Sequence, residues 1–199
     1  MTYRVSYRRN QGFSLGPIGF LIVANLIMYL ATSIRRSLFI GRFGLTPQYF
    51  LQQPWTIITN LFIHSPFPSI GHILANMVTL YFFGSHLIRL VGERNFLIVY
   101  FLGGIVGNIL YLLWGHPFIP AIGASGAVFA VGGALTVLRP KLPVFIFPIP
   151  IPIHLWIAVI GGFLIISFFP NVAWQAHLGG LLLGLGAGYL FRRKPRFFY

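Results

Sequence analysis

Apolar residues along this chain fall into six runs, and the segments between and beyond them hold all of its arginines and most of its prolines. A helix that crosses the hydrocarbon core of a bilayer needs about 20 predominantly apolar residues, and most of the runs approach that length. The pattern therefore predicts an all-α polytopic membrane protein with six transmembrane helices. The predicted spans cover residues 17–34, 70–88, 95–114, 125–138, 153–168 and 172–191.

The segments outside these runs complete the expected layout. Residues 1–16 and the basic residues 192–199 are predicted to be tails on either side of one membrane domain at 17–191. The connection at 35–69 is unusually long and mixes aromatic with polar residues, which is typical of a segment at a membrane interface. Residues 143–152 are apolar but rich in proline, which lacks a backbone donor and disfavours helix before it. They are expected to form an apolar linker.

Composition excludes several classes of enzyme. The chain is 57% hydrophobic and 8% charged, and it contains no cysteine, so disulfides and thiol catalysis are impossible. Glu93 is its single acidic residue. A site built on paired carboxylates, as in aspartic proteases and most glycosidases, is therefore excluded. Any histidine that acts as a base must also do so without a carboxylate behind it.

The net charge of +13 reflects membrane topology rather than a nucleic-acid partner, because the basic residues lie between the apolar runs. With the N-terminus in the cytoplasm, cytoplasmic segments hold eleven Lys and Arg residues and the opposite face holds three. The positive-inside rule then favours two cytoplasmic termini. No removed signal peptide is predicted. The lack of cysteine and the small size favour a prokaryotic plasma membrane.

The fourth predicted span is too short to cross a bilayer from side to side. Its 14 residues form a helix about 21 Å long at about 1.5 Å per residue, whereas the hydrocarbon core is about 30 Å thick. If Arg139 marks the cytoplasmic edge, Ser125 lies about 10 Å below the opposite face. The loop at 115–124 must then enter the membrane, which requires a cover of protein or a wet cavity.

Polar side chains on two other spans lie at the same height as Ser125. His177 stands 15 residues before the first arginine after the sixth span. His72 and Asn76 stand 17 and 13 residues before the arginine that follows the second span, and their spacing of four puts them on one helical face. Polar groups inside a membrane are costly and usually functional. A serine beside a histidine there predicts a nucleophilic hydrolase.

Small residues indicate which helices can approach one another. Gly180 and Gly184 lie on the same face of the sixth span as His177, and the fourth span is rich in glycine and alanine. Such residues let helix backbones approach closely in a membrane, which would bring Ser125 to His177. Gly123 and Gly126 flank the serine and permit a tight turn and a close substrate backbone.

Four motifs occur together along the chain. They are G-A-S-G at 123–126, A-H-L-G-G at 176–180, H-I-L-A-N at 72–76 and W-T-I-I-T-N-L-F-I-H at 55–64. Through them the chain resembles the rhomboid family of intramembrane serine proteases over residues 16–191. The resemblance implies a six-helix core that cleaves transmembrane segments of single-span or polytopic membrane proteins within the lipid bilayer. It implies no metal and no cofactor.

Carried over by position, the resemblance also implies roles for individual residues. Ser125 would be the nucleophile, and His177 the general base and later the acid. The backbone N–H of Ser125 and the side chains of His72 and Asn76 would form the oxyanion hole. Phe129 falls where the family often has a tyrosine that packs against the histidine, so the ring contact would remain without its hydroxyl.

Three other interpretations stay open at this point. A rhomboid-like protein without activity would bind membrane clients but not cleave them. A small transporter or channel would need ionisable residues along a path, or repeats, and neither is evident. A zinc site would use His64, His72 and His177, although their spacing matches no metalloprotease motif. His64 is otherwise expected to be structural.

Overall fold

The computed structural model describes residues 16–145, 151–170 and 172–193. Residues 1–15 and 194–199 of the predicted tails, and residues 146–150 of the proline-rich linker, lie outside the described residues. Most of the described residues are helical, and one antiparallel pair of strands has two residues in each strand. Its helices are α1 (Gly16–Ile34), α2 (Arg36–Phe43), α3 (Thr56–Thr59), α4 (Ile70–Val91), α5 (Glu93–Trp114), α6 (Ser125–Leu138), α7 (Leu155–Ser167) and α8 (Trp174–Arg193).

The predicted all-helical membrane class is confirmed by these elements. Within the described residues, α1, α4 and α5 are long and apolar enough to cross a membrane. The apolar helices α6 and α7 are shorter, with 14 and 13 residues. Helix α6 begins at Ser125 and ends at Leu138, as the sequence predicted.

The boundary between α4 and α5 differs from the predicted one. The charged segment after the second run suggested a short loop, but α4 continues to Val91 and α5 starts at Glu93. A single residue, Gly92, separates them with φ of +83°. This left-handed conformation favours glycine, so one residue is enough to end one helix and begin the next.

The long connection at 35–69 is folded rather than irregular. It contains α2, α3 and two 3₁₀ turns at Pro47–Tyr49 and Asn60–Phe62, and its last residues before α4 are not helical. Leu45 exchanges backbone hydrogen bonds with Ala121, at 3.0 and 2.8 Å. The connection therefore covers the loop at 115–124 that precedes α6 and supplies partners for its backbone.

The linker between α6 and α7 contains the strand pair. Pro143–Val144 pairs antiparallel with Ile153–His154, so α7 begins at Leu155, two residues later than predicted. The extended backbone of His154, with φ of −67° and ψ of 139°, marks this start. Helix α8 likewise begins at Trp174, two residues after its predicted start, and continues to Arg193.

Helices α5, α6 and α8 pack with their backbones in close approach. Cβ atoms added at Gly180 and Gly184 on α8 would collide with the carbonyl oxygens of Gly126 and Ala130 on α6. A Cβ at Gly179 would lie 2.8 Å from the Val106 carbonyl oxygen on α5. Small residues thus let α8 pack closely against both α5 and α6.

The closeness of α6 and α8 yields a test with an internal control. Gly184→Ala should lower stability by about 1–3 kcal/mol because the added methyl has no space against the Ala130 carbonyl. Gly186→Ala, on the same helix, has nothing within 4 Å of the new Cβ, and alanine favours helix over glycine. Thermal unfolding in detergent should show a lower midpoint for the first variant only. Equal midpoints would contradict the close packing.

Candidate active site

Ser125 and His177 form a hydrogen-bonded pair between two helices. Ser125 is the first residue of α6, and its Oγ lies 2.7 Å from Nε2 of His177 on α8. The His177 side chain is 5% exposed, while Ser125 is only partly buried. The two residues that the sequence singled out are thus in direct contact in the structure.

Glycine packing explains why this pair meets. Gly126, next to the serine, lies so close to α8 that a Cβ there would be 3.1 Å from the Ala176 carbonyl oxygen. Gly180, one turn after the histidine, lies against the Gly126 carbonyl. The residues that hold the backbones together are therefore immediate neighbours of the serine and of the histidine.

The imidazole of His177 is held by an aromatic ring. The ring centroids of Phe129 and His177 are 4.9 Å apart with an interplanar angle of 36°. Among the described residues, no protein group lies within hydrogen-bonding distance of Nδ1. Phe129 supplies the ring contact that the resemblance implied, and it has no hydroxyl.

His72 lies against the turn that leads into α6. Gly123 has φ of +117°, and a Cβ there would lie 2.7 Å from Nε2 of His72. On the other side of the ring, the backbone N–H of Ser65 donates to Nδ1 at 3.3 Å. Because a neutral imidazole carries one N–H, this bond assigns the proton to Nε2. His72 therefore directs a donor toward the turn beside Ser125.

Asn76 lies one helical turn beyond His72 and is 5% exposed. Its side-chain nitrogen Nδ2 donates to the carbonyl oxygen of His72 at 2.8 Å. A carboxamide nitrogen has two donors, so one N–H remains for a second acceptor. The local bond also limits the rotamers available to the side chain.

A pair of asparagines that sequence reasoning missed fixes the backbone before the serine. The Asn60 and Asn108 side chains exchange two hydrogen bonds, at 3.0 and 2.7 Å, and Asn108 also donates to the Ile57 carbonyl at 2.7 Å. The backbone carbonyl oxygen of Asn60 accepts a hydrogen bond from the backbone N–H of Gly123 at 2.9 Å. Asn108 interrupts an apolar run, and that was the signal available in the sequence.

His64 also contacts the backbone next to the serine. The fully buried ring accepts a hydrogen bond at Nε2 from the N–H of Ala124 at 3.4 Å, and its centroid is 5.0 Å from that of His72. Burial, with a smaller contribution from His72, lowers the pKa of His64 to about 3. The ring therefore stays neutral at physiological pH and can act as an acceptor. The structural role expected for His64 agrees with these contacts.

A small cavity of about 10 Å³ adjoins Ser125, enough for the centre of about one water molecule. Asn60, Asn108 and Gly123 contribute to its lining. Among the described residues, no three His, Cys, Asp or Glu side chains are placed to hold a metal ion. The three-histidine zinc site considered from the sequence therefore has no geometric support.

Comparison with protein-family models identifies the family of this chain. Residues 51–194 match the family model described as the rhomboid domain. The chain belongs to the rhomboid family. Rhomboid proteins are generally serine intramembrane proteases that act on membrane-protein substrates in the bilayer.

Curated rhomboid relatives are similar over most of this chain. Rhomboid protein 1, mitochondrial, of Saccharomyces cerevisiae is 30% identical over 76% of the chain and 46% of its own length. Rhomboid-like protease 3 of Toxoplasma gondii is 31% identical over 84% and 66%. RHOMBOID-like protein 12, mitochondrial, of Arabidopsis thaliana is 34% identical over 71% and 47%. The chain thus spans about half to two thirds of the length of these relatives.

The names of these relatives correct the location predicted from the sequence. The yeast and Arabidopsis relatives are both named as mitochondrial proteins, so the expected prokaryotic plasma membrane, with its cytoplasmic termini, is wrong. That expectation rested on small size and on the absence of cysteine. Neither property depends on which lipid membrane surrounds the helices.

The asparagine pair can be tested by a double-mutant cycle. Asn60→Ala or Asn108→Ala alone leaves a buried amide without its partner and should cost about 1–3 kcal/mol. The double variant should cost less than the sum, because neither amide then remains unpaired. Asn95→Ala is the control, since among the described residues its amide bonds to the carbonyl of Val91, the last residue of α4. If the stability losses of the two single variants add up in the double variant, as measured by thermal unfolding, the two side chains are not directly coupled.

Proposed function

We propose that this protein is a serine endopeptidase that cleaves transmembrane segments of other membrane proteins. The observation that carries the proposal is the 2.7 Å contact between Ser125 Oγ and His177 Nε2. It occurs in a chain of the rhomboid family and at the start of a helix too short to span a bilayer. We infer that the helices α1, α4, α5, α6, α7 and α8 form a six-helix bundle embedded in a mitochondrial membrane, in which α6 reaches the far face only together with the loop before it.

In the proposed first step, His177 Nε2 takes the Ser125 hydroxyl proton as Oγ attacks the carbonyl carbon of a peptide bond. The tetrahedral intermediate collapses when the protonated His177 gives that proton to the leaving amine. An acyl-enzyme ester then remains on Ser125. Water, activated by the same histidine, hydrolyses the ester and restores the serine.

Three donors would stabilise the negative oxygen of the intermediate. The N–H of Ser125 is the first of α6 and has no partner within its helix. His72 contributes Nε2–H, and Asn76 contributes its second N–H. Donors placed before the reaction stabilise developing charge most strongly where water is scarce.

The substrate must expose a peptide bond that a helix normally shields. A transmembrane helix satisfies its backbone internally, so it must unwind locally before Ser125 can reach a carbonyl carbon. Small or helix-breaking residues near the cut would ease this unwinding. The cavity beside Ser125 offers a place for hydrolytic water.

An activated serine can be tested without knowledge of the substrate. A fluorophosphonate probe should label the purified protein in detergent and in lipid, because a general base makes Ser125 nucleophilic. Ser125→Ala and His177→Ala should reduce labelling to background. Ser69→Ala and His154→Ala replace exposed residues of the same types and should label like wild type.

The alternative function gives the opposite result in this experiment. A rhomboid-like protein that binds membrane clients without cleaving them would remain folded and unlabelled. No labelling of folded wild-type protein in either environment would therefore reject the protease. Labelling that persists in Ser125→Ala would reject Ser125 as the nucleophile.

The proposed oxyanion donors can be tested separately from folding. Asn76→Ala should lower the turnover of a cleaved transmembrane substrate by about 10²–10³-fold, the usual effect of losing one such donor. Its unfolding midpoint should change little, because the lost hydrogen bond joins residues of the same helix. Turnover equal to that of wild type would remove Asn76 from the oxyanion hole.

A further inference from the structure

We propose that Phe163 on α7 is a positioning residue for His177 and acts through Phe129. The position of α7 would thereby set the orientation of the imidazole relative to Ser125. The consequence of this role for catalysis rests on the proposed function. The ring contacts that carry it belong to the folded protein whether or not it cleaves a substrate.

Three rings from three helices form a continuous chain of contacts. Phe163 lies 6.0 Å from Phe129, centroid to centroid, with their planes at 86°. Phe129, on α6, lies in turn 4.9 Å from the ring of His177 on α8. Both distances fall in the range of about 4.5–7 Å for favourable aromatic pairs, and the first is an edge-to-face pair.

The histidine depends on these contacts more than it would in a triad with a carboxylate. In such a triad, an acid bound to Nδ1 fixes both the tautomer and the direction of the ring. No protein group of the described residues reaches Nδ1 of His177. The ring is located by Ser125 at Nε2 and by packing, and Phe129 supplies the aromatic part of that packing.

Helix α7 is anchored unevenly. Its buried residues, Leu155 and Val159, lie in the first part of the helix. Beyond Phe163, which is partly buried, Leu164 and Ile165 are 53% and 64% exposed. Phe163 is thus the last residue of α7 in the apolar cluster that contains Leu155 and Val159.

This placement gives α7 a way to act on the chemistry. If the second half of α7 moves outward, Phe163 separates from Phe129, and one side of the Phe129 ring loses its support. Phe129 can then tilt and release the imidazole. The expected effect falls on the rate of the chemical step, because Phe163 itself touches neither Ser125 nor the reacting atoms.

Phe163→Leu removes the edge-to-face pair and keeps an apolar side chain. The rate constant for fluorophosphonate labelling should fall about two- to tenfold, the range that corresponds to one aromatic pair. Phe163→Tyr keeps a ring at this position and should label at nearly the wild-type rate. Phe168→Leu is the matched control, since Phe168 just after α7 is 88% exposed, and it should also resemble wild type.

A spectroscopic measurement separates this inference from the proposed function. In protein labelled with ¹⁵N in its six histidines, the His177 ring signals are identified by their loss in His177→Ala. Phe163→Leu should shift these signals and Phe168→Leu should not. If wild type does not label but this shift occurs, the protease proposal fails and the positioning role stands.

Two outcomes would overturn the positioning role. One is unchanged His177 signals in Phe163→Leu. The other, in a wild type that labels, is labelling of Phe163→Leu at the wild-type rate or faster, and faster labelling would show that Phe163 merely covers the site. If Phe163→Leu does not remain folded, Phe163→Met serves in the same comparisons, because its flexible side chain fills the space without a ring.

Discussion

The close approach of α6 and α8 is the constraint on which the rest of the structure depends. Helices normally pack with their axes about 8–10 Å apart, and side chains set that spacing. Here the carbonyl oxygens of Gly126 and Ala130 occupy the space that Cβ atoms at Gly180 and Gly184 would need. Only at this separation can the short Ser125 side chain reach an imidazole on the neighbouring helix. The same glycines therefore determine both the packing of the bundle and the geometry of the site.

A second constraint comes from the loop before Ser125. Irregular backbone at membrane depth needs hydrogen-bond partners from the protein or from water. The connection at 35–69 provides them through Leu45 and Asn60, and the latter is itself fixed by Asn108. The connection is thus a structural part of the site, because it holds the turn at Gly123 in the left-handed conformation that orients the start of α6.

The sequence predicted most helices and the central pair because each carries a strong local signal. Apolar length marks a membrane helix, and polar groups at one height mark Ser125 and His177. The link between Asn60 and Asn108 joins residues 48 positions apart, and no periodicity reveals such a pairing. Phe163 gave no signal because an aromatic residue in an apolar helix is ordinary. The roles of Ser125, His177, His72 and Asn76 in catalysis stay predictions.

The absence of a carboxylate behind His177 has a physical reason in the position of the site. An ionised acid in a membrane interior is costly unless it is paired, and an uncharged serine and histidine avoid that cost. Without an acid, however, the histidine loses the hydrogen bond that orients the imidazole in a Ser-His-Asp triad. Packing must take over that task, and rings on neighbouring helices can provide it without charge. In such a site the orientation of the imidazole depends on helix positions, so movements of whole helices would change the geometry of the Ser125–His177 pair directly.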